Sequence, residues 1–584
     1  MIKLPDIFKE HMVFQRRKNI CVWGKTNKKY VRVELNDKTV QTKVENGSFE
    51  AYIPSMEAGG PYILKVVAGD NLVNDNIIDV ESIIIGDVMV GEVWIACGQS
   101  NMEFELQNSY DGQARLKKIN NPKVRYYYTP KFAYEGEELD KLREEAHWGI
   151  ATEPYANADE IGKLSAVGYY FASMLSQNLG VTVAIINCNW GGTHAYCWMG
   201  REALLSNSKI AHYMKDYDEL VSKQDPAEYD KEYADYVVYQ AEFDRKCGDY
   251  YMTHEHPSWE ECIELCGENK YPGPVGPKAF VRPTGLYDVM LKPMVPYTIA
   301  GFIYYQGEDD DQAPESYYEL MVALINQWRE DFKNDKLPVL ITQLPMFMNE
   351  CDTDFKNWPL MREAQQRVAD TMKNVSIGVI TDKGDLNNIH PIHKKPVGER
   401  LALKALADVY KVLEPELANG PTFKSYYVEK SSMVLKFDFA ENGIIAHTPA
   451  ENALLALDSA YVDLSDMATV IDNEKSKAII DSYKGYSGYI NEEDDYVKSF
   501  EIAGEDKIYH KADKCIIEDN IVRISSEKVK NPRYARYNWT NYSKVMLYGD
   551  NGLPVAPFRT CREDGSDNWK SDEEKKEMRF GQAI

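Results

Sequence analysis

A serine, Ser100, lies in a turn that directly follows a predicted buried strand. The strand covers 93–97, because an apolar run there ends at Gly98. In open α/β sheets, ligands bind at the carboxyl ends of the strands, so a serine at this position is well placed to act as a nucleophile. The alternative is that Ser100 or Asn101 only caps the helix that follows, a role in which both residue types are common.

Three later positions offer the other groups that ester hydrolysis needs. Gly192 follows a second predicted strand, and its missing side chain lets a backbone N–H approach a ligand closely. Gln306 follows a third strand and carries a neutral hydrogen-bond donor. His390 lies in a loop and suits the role of base, because imidazole titrates near neutral pH. With Ser100, these residue types supply a nucleophile, a base and donors for the oxyanion.

The segments around these residues resemble the SGNH-hydrolase superfamily and, more closely, its sialate O-acetylesterase branch of carbohydrate esterases. In chain order they are GQSNM at 98–102, NWGGT at 189–193, YQGE at 305–308, and IHP at 389–391 with VGER at 397–400. GQSN alone is moderately specific and HP alone is uninformative. The ordered set, together with flanking motifs near both ends of the chain, is a strong match.

The resemblance implies a fold, an activity and a set of site residues. The fold is a three-layer α/β/α hydrolase domain with β-rich accessory domains. The activity is removal of O-acetyl groups from sugars through an acetyl-serine intermediate, without a metal or an organic cofactor. By position, Ser100 is the nucleophile, His390 is the base, and the oxyanion hole consists of the Ser100 amide, Gly192 and Gln306.

The chain departs from the family pattern just before His390. Relatives often carry an aspartate two or three residues before the histidine, where this chain has Asn388 and Asn387. Asp385 is therefore our candidate for the carboxylate that orients the base, and Asp382 is the reserve. A Ser–His dyad supported by a backbone carbonyl is a third possibility.

Two further departures lie beside the other turns. Relatives usually continue Gln-Gly-Glu with Ser-Asn, whereas this chain has Asp309 and Asp310. Thr193 is followed by His194, where small or proline residues are usual. A packed or solvated role for His194 is favoured over contact with substrate, because histidine is commonly of intermediate burial.

The periodicity of apolar residues predicts an α/β protein with β-rich regions at both ends. Short strands separated by turn signals predict a β-sandwich and a second β-rich domain. Between them, strands alternate with helices, which is typical of a mostly parallel sheet covered by helices. The predicted divisions are an N-terminal β-sandwich at 1–82, an SGNH-type α/β/α esterase domain at 83–412 with a helical insertion at about 201–280, a C-terminal β-rich domain at 413–565 and a charged tail at 566–584.

The net charge of −25 argues against two classes of partner. An acidic surface repels phosphate backbones and anionic lipids, so we expect no binding to nucleic acid or to a membrane. No run approaches the roughly 18 apolar residues that a membrane-spanning helix needs. The first residues lack the pattern of a secretory signal, so we expect a cytoplasmic protein. Whether the chain forms a homo-oligomer stays open.

One pair of the ten cysteines has a spacing seen in metal sites. Cys262 and Cys266 are four residues apart and would share one face of a helix, with His254 and His256 nearby. A closed zinc site needs four ligands at defined spacing, and this segment lacks a second ligand pair. We therefore predict no metal site.

The sequence predicts a carbohydrate O-acetylesterase whose substrate is an acetylated mono- or oligosaccharide. The sugar is either an O-acetylated sialic acid or an acetylated hemicellulose fragment. One alternative is a glycan-binding protein with impaired catalysis, which Asn387 and Asn388 favour and the intact Ser100 and His390 oppose. Another is a lipase or thioesterase on the same fold, which would need a long apolar groove. The acidic, tyrosine-rich insertion argues against that groove.

Overall fold

The fold is described from a computed structural model that covers 1–73, 76–78, 81–152, 158–253, 259–350, 352–448 and 473–563. The predicted tail at 566–584 lies outside these residues, as do His254 and His256. Within the described ranges, no helix combines the length and the apolar character needed to cross a membrane.

The N-terminal region is built of strands, and in β3 and β5 buried and more exposed residues alternate, as expected for sheets with one face on a core. The strands are β1 (Val13–Gln15), β2 (Ile20–Lys25), β3 (Tyr30–Leu35), β4 (Lys38–Lys43), β5 (Ser48–Ile53), β6 (Gly59–Gly69), β7 (Asn71–Val73), β8 (Asn76–Ile78) and β9 (Glu81–Gly98). β3 pairs antiparallel with β4 and β6, β6 pairs antiparallel with β9, and β2 pairs antiparallel with β5.

The next region alternates helices and strands and then becomes helical. Its elements up to the glycine turn are α1 (Ser100–Glu103), α2 (Gly112–Leu116), β10 (Asn121–Tyr128), α3 (Glu137–Glu145), β11 (Trp148–Ala151), α4 (Ala158–Gly162), α5 (Ala166–Leu179) and β12 (Val183–Asn189). The helical segment consists of α6 (Arg201–Leu205), α7 (Ala211–Ser222), α8 (Pro226–Thr253) and α9 (Trp259–Cys266). It covers most of the predicted insertion.

The alternation then resumes. The elements are β13 (Gly301–Tyr305), α10 (Pro314–Asp331), β14 (Val339–Thr342), β15 (Phe347–Met348), α11 (Asn357–Thr371), β16 (Val375–Gly378), β17 (Asp385–Leu386), α12 (Lys395–Lys404) and α13 (Pro415–Ala418). The C-terminal elements are β18 (Thr422–Glu429), β19 (Ser432–Asp438), β20 (Ile444–Ala446), α14 (Glu474–Ser482), β21 (Phe500–Ala503), β22 (His510–Lys511), β23 (Lys514–Glu518), β24 (Ile521–Ser525), β25 (Tyr534–Tyr537), β26 (Leu547–Gly549) and β27 (Phe558–Arg559).

Seven strands form the central sheet in the order β11-β10-β12-β9-β13-β14-β16. All neighbours are parallel except the edge strand β11, which is antiparallel to β10. α5 packs on β10, β12 and α12, while α11 packs on α10 and β16. β9, β12 and β13 are adjacent, so the turns that follow them meet at one edge of the sheet.

β9 joins the N-terminal strands to the central sheet. Its first part pairs with β6, and 92–98 pair with β12. Every residue from 90 to 98 is buried, as expected for a strand covered on both faces. One hydrophobic core spans both regions, whereas the C-terminal strands have a core of their own. The predicted division at residue 82 falls inside β9, and it stays a prediction.

The C-terminal region contacts the loop that leads to His390. The Leu386 N–H donates to the Gly485 carbonyl at 2.8 Å. The Gly384 N–H donates to the Ser487 hydroxyl at 3.1 Å, and the Ser487 N–H donates back to the Gly384 carbonyl at 3.0 Å. This β-rich region therefore supports the segment in which both candidate aspartates lie.

Candidate active site

Ser100 is placed by the sharp end of β9. Gly98 has a φ of 143°, and a Cβ there would overlap the Tyr305 carbonyl oxygen of β13. Glycine is therefore required for the chain to turn so close to its neighbour. Ser100 is the first residue of α1, and the N-cap position belongs to Gln99, whose side chain makes no capping bond. In the structure, neither Ser100 nor Asn101 is the N-cap residue of α1.

The Ser100 hydroxyl forms a hydrogen bond with His390. The distance from Ser100 Oγ to His390 Nε2 is 2.8 Å, and both residues are half-buried. Burial lowers the pKa of His390 to about 4, and the nearby Lys394 acts in the same direction. The imidazole is therefore neutral at neutral pH, which is the form that accepts a proton from a nucleophile.

Asn101 ties the nucleophile turn to the histidine loop. Its Nδ2 donates to the Ile389 carbonyl at 2.9 Å, one residue before the base. The His390 N–H donates to Asn388 Oδ1 at 2.9 Å, which closes a tight turn within the loop. The Ser100–His390 distance is thus held from both chain segments.

Neither candidate aspartate reaches His390. Asp385 lies in β17 beside Gly485, and burial raises its carboxyl pKa to about 6, although Lys544 opposes the shift. Within the described residues, no hydrogen bond joins the His390 ring to a carboxylate or a carbonyl. Our choice of Asp385 as the orienting group is therefore not supported by the geometry.

Asp382 is engaged elsewhere. Arg400 binds both of its carboxylate oxygens, at 2.5 and 2.9 Å, and Lys383 lies 3.0 Å away. Although burial acts in the opposite direction, the Arg400 and Lys383 charges hold the pKa of the Asp382 carboxyl well below its usual range. Asp382 is therefore paired with Arg400 and Lys383, and it forms no hydrogen bond with the His390 ring.

The glycine turn after β12 packs directly on Ser100. A Cβ at Gly191 would stand 3.1 Å from Ser100 Cβ, and the Gly191 N–H donates to Glu103 Oε2 at 2.5 Å. Gly192 has a φ of 65°, and a Cβ there would overlap the hydroxyl of Tyr271. Both features favour glycine. Tyr271 also donates to the Gly191 carbonyl at 3.1 Å, which fixes the turn from the outside.

Two backbone N–H groups at this edge are available to an oxyanion. Gly192 N–H donates to no group among the described residues. The Ser100 N–H lies in the first turn of α1, where backbone donors have no acceptor inside the helix. The family resemblance implies both groups as oxyanion donors, and that role stays a prediction.

Gln306, the third predicted oxyanion donor, is not free to bind substrate. It is fully buried, and its Nε2 donates to the Thr193 carbonyl at 3.0 Å and to Asp310 Oδ2 at 2.6 Å. Its Oε1 accepts from the hydroxyls of Tyr304 and Tyr317 at 3.2 and 3.1 Å. Because both amide protons are already used, the geometry does not support Gln306 as an oxyanion donor, and that role stays a prediction. Gln306 instead holds the backbone next to Gly192.

His194 has the packed role favoured from the sequence. Its ring stacks on Tyr196 with centroids 4.6 Å apart, and its Nδ1 lies 3.5 Å from Asp310 Oδ1. Burial acts to lower the pKa of His194, but the hydrogen bond and charge of Asp310, together with the charges of Asp309 and Asp311, raise the pKa overall. Asp310 thereby joins His194 and Gln306 in one network behind the glycine turn.

A buried polar network beneath Ser100 could not be foreseen from the motifs. Asn101 Nδ2 donates to Glu308 Oε1 at 2.6 Å, and Lys394 Nζ donates to Asn101 Oδ1. The ammonium lies 4.8 Å from the ring centre of Phe104. Burial raises the pKa of Glu308 to about 7 and lowers that of Lys394 to about 7, while Glu308 opposes the second shift. This network joins three segments far apart in sequence.

Within the described residues, no cluster of metal-ligating side chains includes Ser100 or His390. The groups that meet at this edge are the Ser100 hydroxyl, the His390 imidazole and the backbone N–H groups of Ser100 and Gly192.

A family model described as "Carbohydrate esterase, sialic acid-specific acetylesterase" matches residues 90–255 and 276–408. The chain belongs to this family. The match includes the segments that hold Ser100, Gly192, Gln306 and His390. The predicted relationship to the sialate O-acetylesterase branch of the SGNH hydrolases is confirmed.

Two proteins named sialate O-acetylesterase are similar to this chain over much of its length. Sialate O-acetylesterase from Mus musculus is 24% identical over 397 residues, which are 64% of this chain and 65% of the relative. The Homo sapiens protein of that name is 22% identical over 391 residues, 64% of this chain and 62% of the relative. The chain thus spans just under two thirds of these relatives' length.

A solved structure extends the similarity to nearly the whole chain. A carbohydrate acetylesterase from Xanthomonas citri superposes with a TM-score of 0.67 at 25% sequence identity, and the match covers 96% of this chain and 100% of that one. The predicted α/β class, with an SGNH-type domain and β-rich regions, is confirmed.

Proposed function

We propose that the protein is a carbohydrate O-acetylesterase that hydrolyses acetyl esters on sugars by a Ser100–His390 mechanism. The observation that carries the proposal is the 2.8 Å hydrogen bond between Ser100 Oγ and His390 Nε2 at the carboxyl edge of the sheet. The printed activities of the relatives, acetylesterases of sialic acid or other carbohydrates, support the same class of substrate.

The first half-reaction transfers the acetyl group to the enzyme. Ser100 Oγ attacks the acetyl carbonyl carbon while His390 Nε2 takes the hydroxyl proton. The carbonyl oxygen becomes an oxyanion, and the N–H groups of Ser100 and Gly192 stabilise it. The bond to the sugar oxygen then breaks, His390 returns its proton to that oxygen, and the sugar leaves as an alcohol.

The second half-reaction releases acetate. Water attacks the acetyl-serine carbonyl, His390 Nε2 takes the water proton, and the same two N–H groups hold the new oxyanion. Ser100 Oγ leaves with the proton from His390. The net reaction consumes one water and yields the free sugar hydroxyl and acetic acid, which ionises to acetate and a proton.

A dyad replaces the usual triad in this proposal. The imidazole is positioned by its loop, through Asn388 and through the Asn101 bond to the Ile389 carbonyl, instead of by a carboxylate. The pKa near 4 makes His390 a weak base, but one that is fully neutral at neutral pH.

Aromatic groups beside the glycine turn support a sugar substrate. Trp190 precedes Gly191 and stacks on Phe280, with ring centroids 5.0 Å apart and planes 9° apart. Both rings are half-buried, and Lys131 lies 5.1 Å from the Trp190 ring centre. Amphipathic aromatic surfaces next to hydrogen-bonding groups suit a pyranose ring better than a long acyl chain. An O-acetylated sialic acid or an acetylated hemicellulose oligosaccharide fits this setting, and a cytoplasmic enzyme would meet imported fragments of such glycans.

One observation favours a second candidate, a glycan-binding protein with impaired catalysis. No carboxylate among the described residues forms a hydrogen bond with His390. The two functions are distinguished by measuring whether the protein hydrolyses an ester in a reaction that depends on Ser100.

The test is hydrolysis of 4-nitrophenyl acetate by the wild type, Ser100→Ala and His390→Ala, with 4-nitrophenyl octanoate as a chain-length control. We expect the wild type to prefer the acetate and each variant to lose about 10³-fold or more, as when one member of a nucleophile–base unit is removed. An inactive wild type, or a Ser100→Ala variant that keeps its rate, would leave glycan binding as the function. Preference for octanoate would instead indicate a lipase or thioesterase.

The sugar is then identified with acetylated substrates. Acetate release from O-acetylated sialic acid and from acetylated xylo-oligosaccharides is compared at equal concentration. A difference in kcat/KM above about tenfold, or about 1.4 kcal/mol of transition-state binding, would assign the substrate class.

A further inference from the structure

Three cysteines from two helices of the insertion meet at one point. Cys262 Sγ lies 3.2 Å from Cys247 Sγ and 3.9 Å from Cys266 Sγ, and all three sulfur atoms lie within 4.8 Å of one another. Cys262 is fully buried and the other two are half-buried. Among the described residues, this is the single group of three or more potential metal ligands that converge so closely.

The local structure explains why these thiols converge. Cys262 and Cys266 are four residues apart on α9, so they lie on the same face of the helix. Cys247 lies in the last two turns of α8, the helix that packs against α9. The third ligand therefore comes from 15 residues earlier in the chain than Cys262.

The sulfur separations match those of a metal-thiolate centre. Zinc–thiolate bonds of about 2.3 Å in tetrahedral geometry place neighbouring sulfur atoms about 3.8 Å apart. The distances from Cys262 Sγ, 3.2 and 3.9 Å, lie on either side of that value. Binding of one ion at tetrahedral distances requires the Cys247–Cys262 sulfur separation to lengthen by about 0.6 Å.

We propose that Cys247, Cys262 and Cys266 bind Zn²⁺ as a three-thiolate structural site that clamps α8 to α9. Each thiol gives up its proton to solvent as its sulfur–zinc bond forms, so binding of one zinc ion releases three protons. Water or a further side chain completes the fourth position of the tetrahedron. Zinc is the metal that tetrahedral thiolate sites select, and no oxidant is needed.

The site has a consequence for the glycine turn. α9 leads within a few residues to Tyr271, whose hydroxyl binds the Gly191 carbonyl at 3.1 Å and packs where a Gly192 side chain would lie. A clamp between α8 and α9 thus steadies the insertion from which Tyr271 reaches the candidate active site. The metal site itself stands without any assumption about the proposed esterase activity.

The experiment uses the full chain, reduced, incubated with ZnSO₄ and then freed of unbound metal. We expect about one zinc per chain by elemental mass spectrometry, as for a three-thiolate site. Replacement of zinc by Co²⁺ is expected to give a thiolate-to-cobalt charge-transfer band. Cys262→Ser is expected to weaken zinc binding by at least about tenfold, since it removes the central ligand.

The matched control is Cys515→Ser, which replaces a half-buried thiol on β23, outside the cluster. It is expected to keep full zinc content and the cobalt band, and circular dichroism checks that both variants are folded. The proposal is overturned if the reduced wild type binds no zinc and gives no charge-transfer band, a result that does not depend on any variant. It is also overturned if Cys515→Ser loses as much metal as Cys262→Ser. Peptide mapping that finds a Cys247–Cys262 disulfide in the metal-free native protein, with no zinc uptake after reduction, would assign the cluster to redox chemistry instead.

Discussion

Two turns at the same edge of the sheet carry polar residues that the motifs mark as functional, but their surroundings differ. After β9, Ser100 is half-buried and its hydroxyl faces His390 at 2.8 Å. After β13, Gln306 is fully buried, and its amide already has two acceptors and two donors. Strand order brings both residues to the edge, whereas the hydrogen-bond partners decide which one remains available to a ligand.

The glycine turn of β12 lies between these two cases. Its backbone is held from one side by Gln306, through the Thr193 carbonyl, and from the other by Tyr271 and Glu103. The Gly192 N–H itself remains free among the described residues. The enclosed Gln306 therefore supports the glycine turn, whose Gly192 N–H is available to a ligand. The following variants test this difference between a supporting and a ligand-binding role.

The largest effect is expected for Gly192→Ala. The new Cβ would overlap the Tyr271 hydroxyl and force a residue with a φ of 65° to change. We expect kcat/KM to fall about 10²-fold or more, the loss seen when one oxyanion donor is removed. The matched control is Gly180→Ala, since Gly180 has a φ of 71° with open space around it. Equal losses in both variants would show that strain, and not the position of the N–H, causes the effect.

Gln306→Ala separates a supporting role from an oxyanion role. Because the side chain is buried and fully hydrogen-bonded, we expect a loss of about 2–4 kcal/mol in the free energy of unfolding. The kcat of the folded fraction is expected to fall less than about tenfold, well short of the 10²-fold or greater loss of an oxyanion donor. Urea unfolding and initial rates measure the two quantities. A large rate loss at unchanged stability would restore Gln306 to the oxyanion hole.

The pH profile tests the state of His390. Its imidazole must be neutral to accept the Ser100 proton, and its pKa is lowered to about 4. We expect kcat/KM to be level from about pH 5 to 7 and to fall about tenfold per unit below pH 4. An apparent pKa near the ordinary value of about 6.5 would contradict the burial of this ring. An additional inflection near pH 7 that disappears in Glu308→Gln would report the Glu308 carboxyl, whose pKa is about 7.

The smallest effect is expected for Asp385→Asn. A carboxylate that orients a catalytic histidine contributes about 10⁴-fold to kcat, whereas this one lies beside Gly485, so we expect a change of less than about threefold. Asp382→Asn is the contrasting variant. It leaves Arg400 without its bidentate partner and is expected to lower stability by about 3–5 kcal/mol. A 10⁴-fold loss in Asp385→Asn would show that the working enzyme uses a triad.

Local patterns in the sequence predict the secondary structure of this fold well. The periodicity of 164–179 predicts a helix that ends at Gly180. The structure has α5 with Ser165 capping its start, through a bond from the Gly168 N–H, and Gly180 in the left-handed region at its end. These signals are readable because capping bonds and helix periodicity depend on residues within one or two turns.

The insertion shows the limit of such patterns. The four-residue spacing of Cys262 and Cys266 on α9 indicates two possible metal ligands, but the sequence around them provides no second ligand pair. Only the packing of α8 on α9 brings Cys247 to them, so the three-thiol cluster cannot be derived from the spacing of one helix. The enclosure of Gln306 has in part the same origin, since one acceptor of its amide, the Thr193 carbonyl, lies 113 residues away in the chain.

The sequence by itself determined the residue types, the strand ends and the order of motifs, and these were enough for the family, the fold class and the Ser100–His390 pair. Only the tertiary structure decided that Gln306 is enclosed and that Asp385 and Asp382 lie away from the imidazole. It also decided that Asn101 binds both Glu308, 207 residues later in the chain, and Lys394, 293 residues later. The physical reason is that strand and helix signals depend on neighbours in sequence, whereas burial and hydrogen-bond partners depend on which distant segments pack together.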